Sequence, residues 1–155
     1  MKIIIEELSN NGILILSVIS LLTAQLLKIL TYLITFKQLN LSRAFGSGGM
    51  PSSHSSFVTT LSTSVGIVHG FDSTLFAISI VSSLIVMYDA SGVRLAVGKQ
   101  AKLLNELQLV VKLIASTELK AEEKFKELVG HTKLEVLAGF VLGIIISFMG
   151  INFLK

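Results

Sequence analysis

Three groups of residues in this chain have types and spacing that suit phosphoryl chemistry. His131 and Glu135 stand in the run GHTKLE (130–135). On a helix this spacing places them on one face. A carboxylate there accepts from one ring nitrogen and leaves the other free as a nucleophile. His54, in GSGGMPSSHSS (46–56), opens another apolar helical run and is placed to protonate a leaving oxygen. Pro51 suits the first turn of that helix, where its missing N–H costs nothing. The N–H groups of Ser52, Ser53 and His54 would then crowd a helix N-terminus, which favours an anion. Gly46, Gly48 and Gly49 let the backbone approach such a ligand. Lys37, Arg43 and Arg94 supply cations, and the forked donors of arginine match phosphate oxygens. Asp89 and Asn105 are candidates to orient these groups. The expected chemistry is hydrolysis of a phosphate ester through a phosphohistidine, with no metal and no cofactor. Two other readings use the same residues. His54, His131, Asp89 and Glu135 would serve a metal-dependent hydrolase, and the cationic residues alone would serve a non-catalytic phospholipid or anion binder or a transporter.

The elements that must position these residues are apolar runs. The chain has 155 residues, 52% hydrophobic and only 15% charged, with a mean hydropathy of +0.78. A soluble domain carries about 25% charged residues, so the composition predicts an all-α integral membrane bundle in one domain, 1–155. A bilayer core needs roughly 20 apolar helical residues. Four stretches approach this: 12–36, 52–69, 73–90 and 134–154. The first is too long for the h-region of a signal peptide and is preceded by acids rather than a basic stretch. Lys28 within it faces the bundle, snorkels, or pairs with an acid. The second is rich in Ser and Thr, from Ser55 to Ser64, and is expected at the centre of the bundle, enclosed by the other spans. Asp72 or Ser73 caps the third. Gly139 and Gly143 in the fourth have the small-xxx-small spacing of close helix contacts. Between the third and fourth lies an interfacial helical segment, 95–130. In it 102–115 has amphipathic spacing, and 118–129 reads as a charged helix with pairs such as Glu122 and Lys126.

With four spans, the 37–51 loop and the 92–133 segment fall on one side of the membrane. Lys37, Arg43, Arg94, Lys99, Lys102, Lys112, Lys120, Lys124, Lys126 and Lys133 lie there, against Lys2 and Lys155 opposite. The positive-inside rule makes that side cytoplasmic. The site residues gather on it, whereas His69, at the far end of the second span, does not. A net charge of +3 without aromatic interleaving excludes a nucleic-acid binder. The chain has no cysteine, which excludes disulfides and thiolate metal sites.

The ordered set GGMPSSHSS, YDASGVR, GKQAKLLN and GHTKLEVLAG resembles the type-2 phosphatidic acid phosphatase superfamily, which includes the vanadium haloperoxidases. It is most similar to the small, divergent bacterial and plant branch. The resemblance covers nearly the whole chain. It implies a lipid phosphate phosphatase of the cytoplasmic membrane, acting on a phosphomonoester or polyprenyl diphosphate. By likeness, Lys37, Arg43, Ser52, Ser53 and Arg94 bind phosphate, Ser53 standing where the family has glycine. His54 is the acid and His131 the nucleophile, with Glu135 in the place of the usual aspartate. The expected partners are a lipid phosphate and the bilayer, with self-association into a homo-oligomer left open.

Overall fold

A computed structural model describes residues 2–39, 48–115, 124–127 and 129–154. Among them every regular element is helical. The order is α1 (Lys2–Ser9), α2 (Gly12–Phe36), α3 (Ser53–His69), α4 (Thr74–Ser91), α5 (Val93–Ala115) and α6 (Lys133–Met149), closed by a 3-10 turn at Ile151–Phe153. Asn11 caps α2 and Ser73 caps α4, each through a side-chain oxygen that accepts from the first turn. Gly70, at a positive φ of 93°, turns the chain from α3 into that cap.

The packing is inverted relative to a soluble protein. The fully buried side chains are Thr59, Thr60 and serines such as Ser20, Ser56, Ser64 and Ser147. Large apolar residues such as Leu26, Ile34, Ile78, Ile85 and Leu134 are outside. An exposed apolar surface of this extent marks an apolar surrounding. Two helical stretches are long and apolar enough to cross a membrane, Gly12–Phe36 and Thr74–Ile114, the second running through α4 into α5. The helices α3 and α6, at 17 residues each, reach about 25 Å at 1.5 Å per residue.

The Ser/Thr-rich α3 is enclosed by α2, α4 and α6, as its composition implies. Small residues explain why. Gly139 lies against the Ser52 carbonyl, and a Cβ on Gly143 would stand 2.7 Å from the Ser56 carbonyl oxygen and 2.7 Å from Thr59 Cβ. The helices therefore approach to backbone contact, and hydroxyls bridge what remains. The Ser20 and Ser56 hydroxyls are 2.5 Å apart, Thr60 donates to Ser20 at 2.7 Å, and Ser147 donates to the Thr60 carbonyl at 3.2 Å. Ser83 of α4 donates to the Val58 carbonyl of α3 at 2.8 Å.

Three sequence expectations change. The α5 helix begins at Val93, well before 102. Residues 124–127 are not helical, because the Asn105 side chain takes both the Phe125 N–H (2.9 Å) and the Phe125 carbonyl (2.9 Å), so a helix there would lack its own hydrogen bonds. Residues 118–123 and 128 of the expected charged helix, with Glu122 of its pair to Lys126, lie outside the described residues. Pro51 precedes the cap instead of opening α3, since Ser52 is the N-cap and Ser53 the first helical residue.

The close approach makes a measurable prediction. Gly143→Leu should destabilise the bundle by about 1–3 kcal/mol through overpacking, whereas Val141→Leu, on the exposed face of the same helix, should change it by less than about 0.5 kcal/mol. Denaturant unfolding in detergent, followed by circular dichroism, compares the two.

Candidate functional site

The start of α6 is built around one side chain. Thr132 caps the helix, and the Glu135 carboxylate returns to the Thr132 N–H at 3.0 Å, completing a capping box. The same oxygen, Oε2, lies 3.1 Å from His131 Nδ1. A carboxylate only accepts, so Nδ1 carries a proton, and in the neutral ring the lone pair is then on Nε2. His131 is 3% exposed, and Nε2 has no hydrogen-bond partner among the described residues. Its backbone N–H donates to the Ala90 carbonyl at the end of α4, 3.0 Å away. Thr132 is a residue that function-directed reading passed over, although T-x-x-E before an apolar run is a helix-start signature.

The second histidine arrives from α3. The backbone N–H of Ser52 donates to the Glu135 carbonyl at 2.9 Å, which joins the first turn of α6 to that of α3. Ser52 is buried, and its hydroxyl caps the Ser55 N–H. Its polar hydrogen-bonding groups are thus engaged in holding the helix start, while the N–H groups of Ser53 and His54 occupy the first turn. The His54 ring is exposed, with its centroid 6.5 Å from that of His131 and the planes at 61°. His69, at the other end of α3, is about 22 Å away along the axis at 1.5 Å per residue.

Cations surround the pair. Arg94 and Lys28 both act electrostatically on His54, and Lys28 and Glu135 act on one another. Arg94 Nε donates to Asp89 Oδ2 at 2.6 Å, an ion pair between two partly exposed side chains. Lys28 is 3% exposed and lines a cleft of about 380 Å³ with Glu135, Tyr32, Thr35 and Gly49. Gly49 has φ of 90°, and a Cβ there would fall 3.1 Å from Lys28 Cγ, so the glycine makes room for the lysine stem. Thr31 holds this turn by donating to the Met50 carbonyl at 2.7 Å. A buried ammonium at such a depth is costly unless it serves a partner or a ligand. The signal was in the sequence as a lysine inside an apolar run. Lys37, by contrast, is the exposed left-handed C-cap of α2, about 13 Å further along that axis at 1.5 Å per residue. Arg43 lies outside the described residues. Among the described residues no cluster of three His, Asp or Glu has metal-binding geometry.

Asn105 stands elsewhere. Besides Phe125, its Nδ2 donates to Glu127 Oε1 at 2.8 Å. A Cβ on Gly98 would lie 2.5 Å from the Glu127 carbonyl, and Gly130 rests on the backbone of Arg94 and Leu95. The GKQAKLLN run is therefore a clamp: it holds the segment that ends in His131 against α5. Asn105→Ala should release that segment. The expected result is amide exchange at Phe125 faster by about 5- to 30-fold, the equivalent of roughly 1–2 kcal/mol, with exchange in α3 unchanged, read by hydrogen–deuterium exchange.

With this geometry in view, relatives are informative. A chain 38% identical over 149 residues, covering 91% of this chain and 94% of its own length, is the Bacillus subtilis (strain 168) protein named "Uncharacterized membrane protein YuiD". No solved structure gives a significant match. The family model described as "Divergent PAP2 family" matches residues 9–146, a span that holds both histidines, Glu135, Lys28 and Arg94, and the chain belongs to that family.

Proposed function

We propose that this protein is a membrane-embedded phosphatase that hydrolyses a lipid phosphate through a phosphohistidine. The observation that carries the proposal is the buried Nε2 of His131, which has no hydrogen-bond partner among the described residues, in a ring backed by Glu135 at 3.1 Å and lying 6.5 Å from the His54 ring between centroids. Family membership supports it.

The steps follow from the groups present. The phosphate sits between the imidazoles, its non-bridging oxygens taken by Arg94, Lys28 and the N–H groups at the start of α3. The Nε2 lone pair forms a bond to phosphorus as the bond to the lipid oxygen breaks. Protonated His54 gives its proton to that oxygen, and the lipid alcohol departs. Glu135 stabilises the positive charge that develops on His131. Neutral His54 then takes a proton from water, the water oxygen bonds to phosphorus, and the N–P bond breaks to release phosphate. Arg43 remains an expected phosphate ligand from the loop that follows α2, whereas Lys37 stands at the exposed end of that helix.

The membrane reading has four spans, α2, α3, α4 and α6. It is supported by the enclosure of α3 within the other three helices and by the apolar exterior. The charge bias puts the site on the cytoplasmic side of the cytoplasmic membrane, and so favours a headgroup made on the inner leaflet.

Purified protein in detergent should release phosphate from phosphatidate or phosphatidylglycerophosphate in the presence of a chelator. His131→Ala should abolish release, and His54→Asn should lower kcat by about 10²- to 10⁴-fold while still accumulating acid-labile phosphoprotein from a substrate with a good leaving group. Release by His131→Ala equal to wild type would remove the nucleophile. Lys28→Met should weaken the reaction by about 10- to 100-fold, the range for one charged hydrogen bond.

A further inference from the structure

The long helix formed by α4 and α5 has more length than a bilayer can take. Its stretch Thr74–Ile114 has 41 residues, or about 62 Å at 1.5 Å per residue, against a hydrocarbon core of roughly 30 Å. The charges decide which part leaves the core. No Asp, Glu, Lys or Arg occurs in α4 before Asp89, whereas α5 carries Arg94, Lys99, Lys102, Glu106 and Lys112. Gly92 marks the junction, with φ of −106° and ψ of −94°, outside helical values, so the helix is interrupted there.

Beyond this interruption, α5 has two unlike sides. At 100° per residue, Val93, Val97, Leu103, Leu107, Val111 and Ile114 fall within one arc of roughly 120°, with Gln100 among them, while exposed Leu109 and Leu113 stand outside it. All are exposed, Leu107 and Val111 at 50% and Ile114 at 78%. Arg94, Gly98, Asn105 and Lys112 stand on the far side, where Gly98 and Asn105 meet the 124–127 segment. One side of the helix is thus occupied by the chain's own return segment, and the other, apolar side has no partner among the described residues.

We propose that this apolar side lies in the bilayer surface, parallel to the membrane plane, and that α5 is a lipid-borne platform for the segment that delivers His131. Continuity favours lipid as the occupant. The exposed apolar residues of α4, from Leu75 through Ile78, Val81 and Ile85, lead directly into those of α5 across Gly92. Charge favours it over a second copy of the chain. A coiled coil needs complementary charges flanking a narrow seam, but the flanking acid Glu106 is 3.9 Å from Lys102 of its own helix, and the apolar arc is broader than a seam. A wide apolar face with lysines elsewhere on the helix is the pattern of an interfacial helix. The proposal needs only α4 to cross the membrane. It is independent of whether the site turns over substrate.

Absence of cysteine from the sequence permits single spin labels. Leu103→Cys, Leu107→Cys, Val111→Cys, Lys102→Cys and Lys112→Cys would be labelled in the full chain and reconstituted in phosphatidylethanolamine–phosphatidylglycerol vesicles. Accessibility to oxygen and to a water-soluble nickel chelate gives the depth of each. Labels at 103, 107 and 111 should favour oxygen, at one common depth of about 5–10 Å below the headgroups. Labels at 102 and 112 should favour nickel. Depth that increases steadily along 103, 107 and 111 would mean that α5 crosses the core, and overturns the proposal. So would nickel access on both faces, or strong dipolar broadening between labels at 107, which would place a second copy on the face. All labelled positions are exposed, and retention of the oligomer-size profile by each variant checks that the fold tolerates the label.

Discussion

The arrangement depends on the first turn of α6, and within it on Glu135. Its carboxylate holds His131 Nδ1 and closes the capping box with Thr132, while its backbone carbonyl accepts from Ser52, the N-cap of α3. One residue therefore fixes the tautomer of one histidine and the position of the helix that carries the other. Both helix starts point their unpaired N–H groups and their dipoles toward the same place. Glu135 at the start of α6 acts on Lys28, and Asp89 holds Arg94, so the positive groups at this end of the bundle are arranged around carboxylates.

The inverted core serves that geometry. Helices α3 and α6 touch through Gly139 and Gly143 rather than through large side chains, which sets the distance between their first turns. Hydroxyls lining the interface donate back to helix carbonyls or across to a neighbour, so burying them leaves little unsatisfied. A soluble protein gains stability from burying large apolar groups. Here lipid takes those groups, and close packing with hydrogen bonds holds the helices.

Much of this was legible in the sequence. Apolar runs placed α2, α3 and α4 to within a residue or so, although Ser, Thr and His weaken the run that becomes α3. Serine and threonine along α3 announced its enclosure. The contact of His131 with Glu135 was expected from helical spacing, but His131 stands before the Thr132 cap and outside α6, and it is the capping box that brings the Glu135 carboxylate back to it. Other features depend on tertiary contacts that no local pattern encodes. The unwound 124–127 segment arises from one asparagine twenty residues away in sequence, offering both hydrogen bonds that a helix would have supplied. Asn105, a candidate to orient site groups, holds the 124–127 segment that leads toward His131. Lys28 gave its signal as an intramembrane charge, but its place beside Glu135 and His54 became evident only when α2 was seen against the Gly49 turn. Lys37, chosen for its place in a motif, sits on an exposed helix end.

The central claim is that the two imidazoles grip one tetrahedral anion, and a structure of the protein with bound vanadate or tungstate tests it most directly. The account predicts the anion between His131 Nε2 and His54, with Arg94 and Lys28 reaching its oxygens and the Glu135 contact to Nδ1 retained. An anion bound away from His131, or a His131 turned so that Nε2 faces α4 in the presence of the anion, would contradict it.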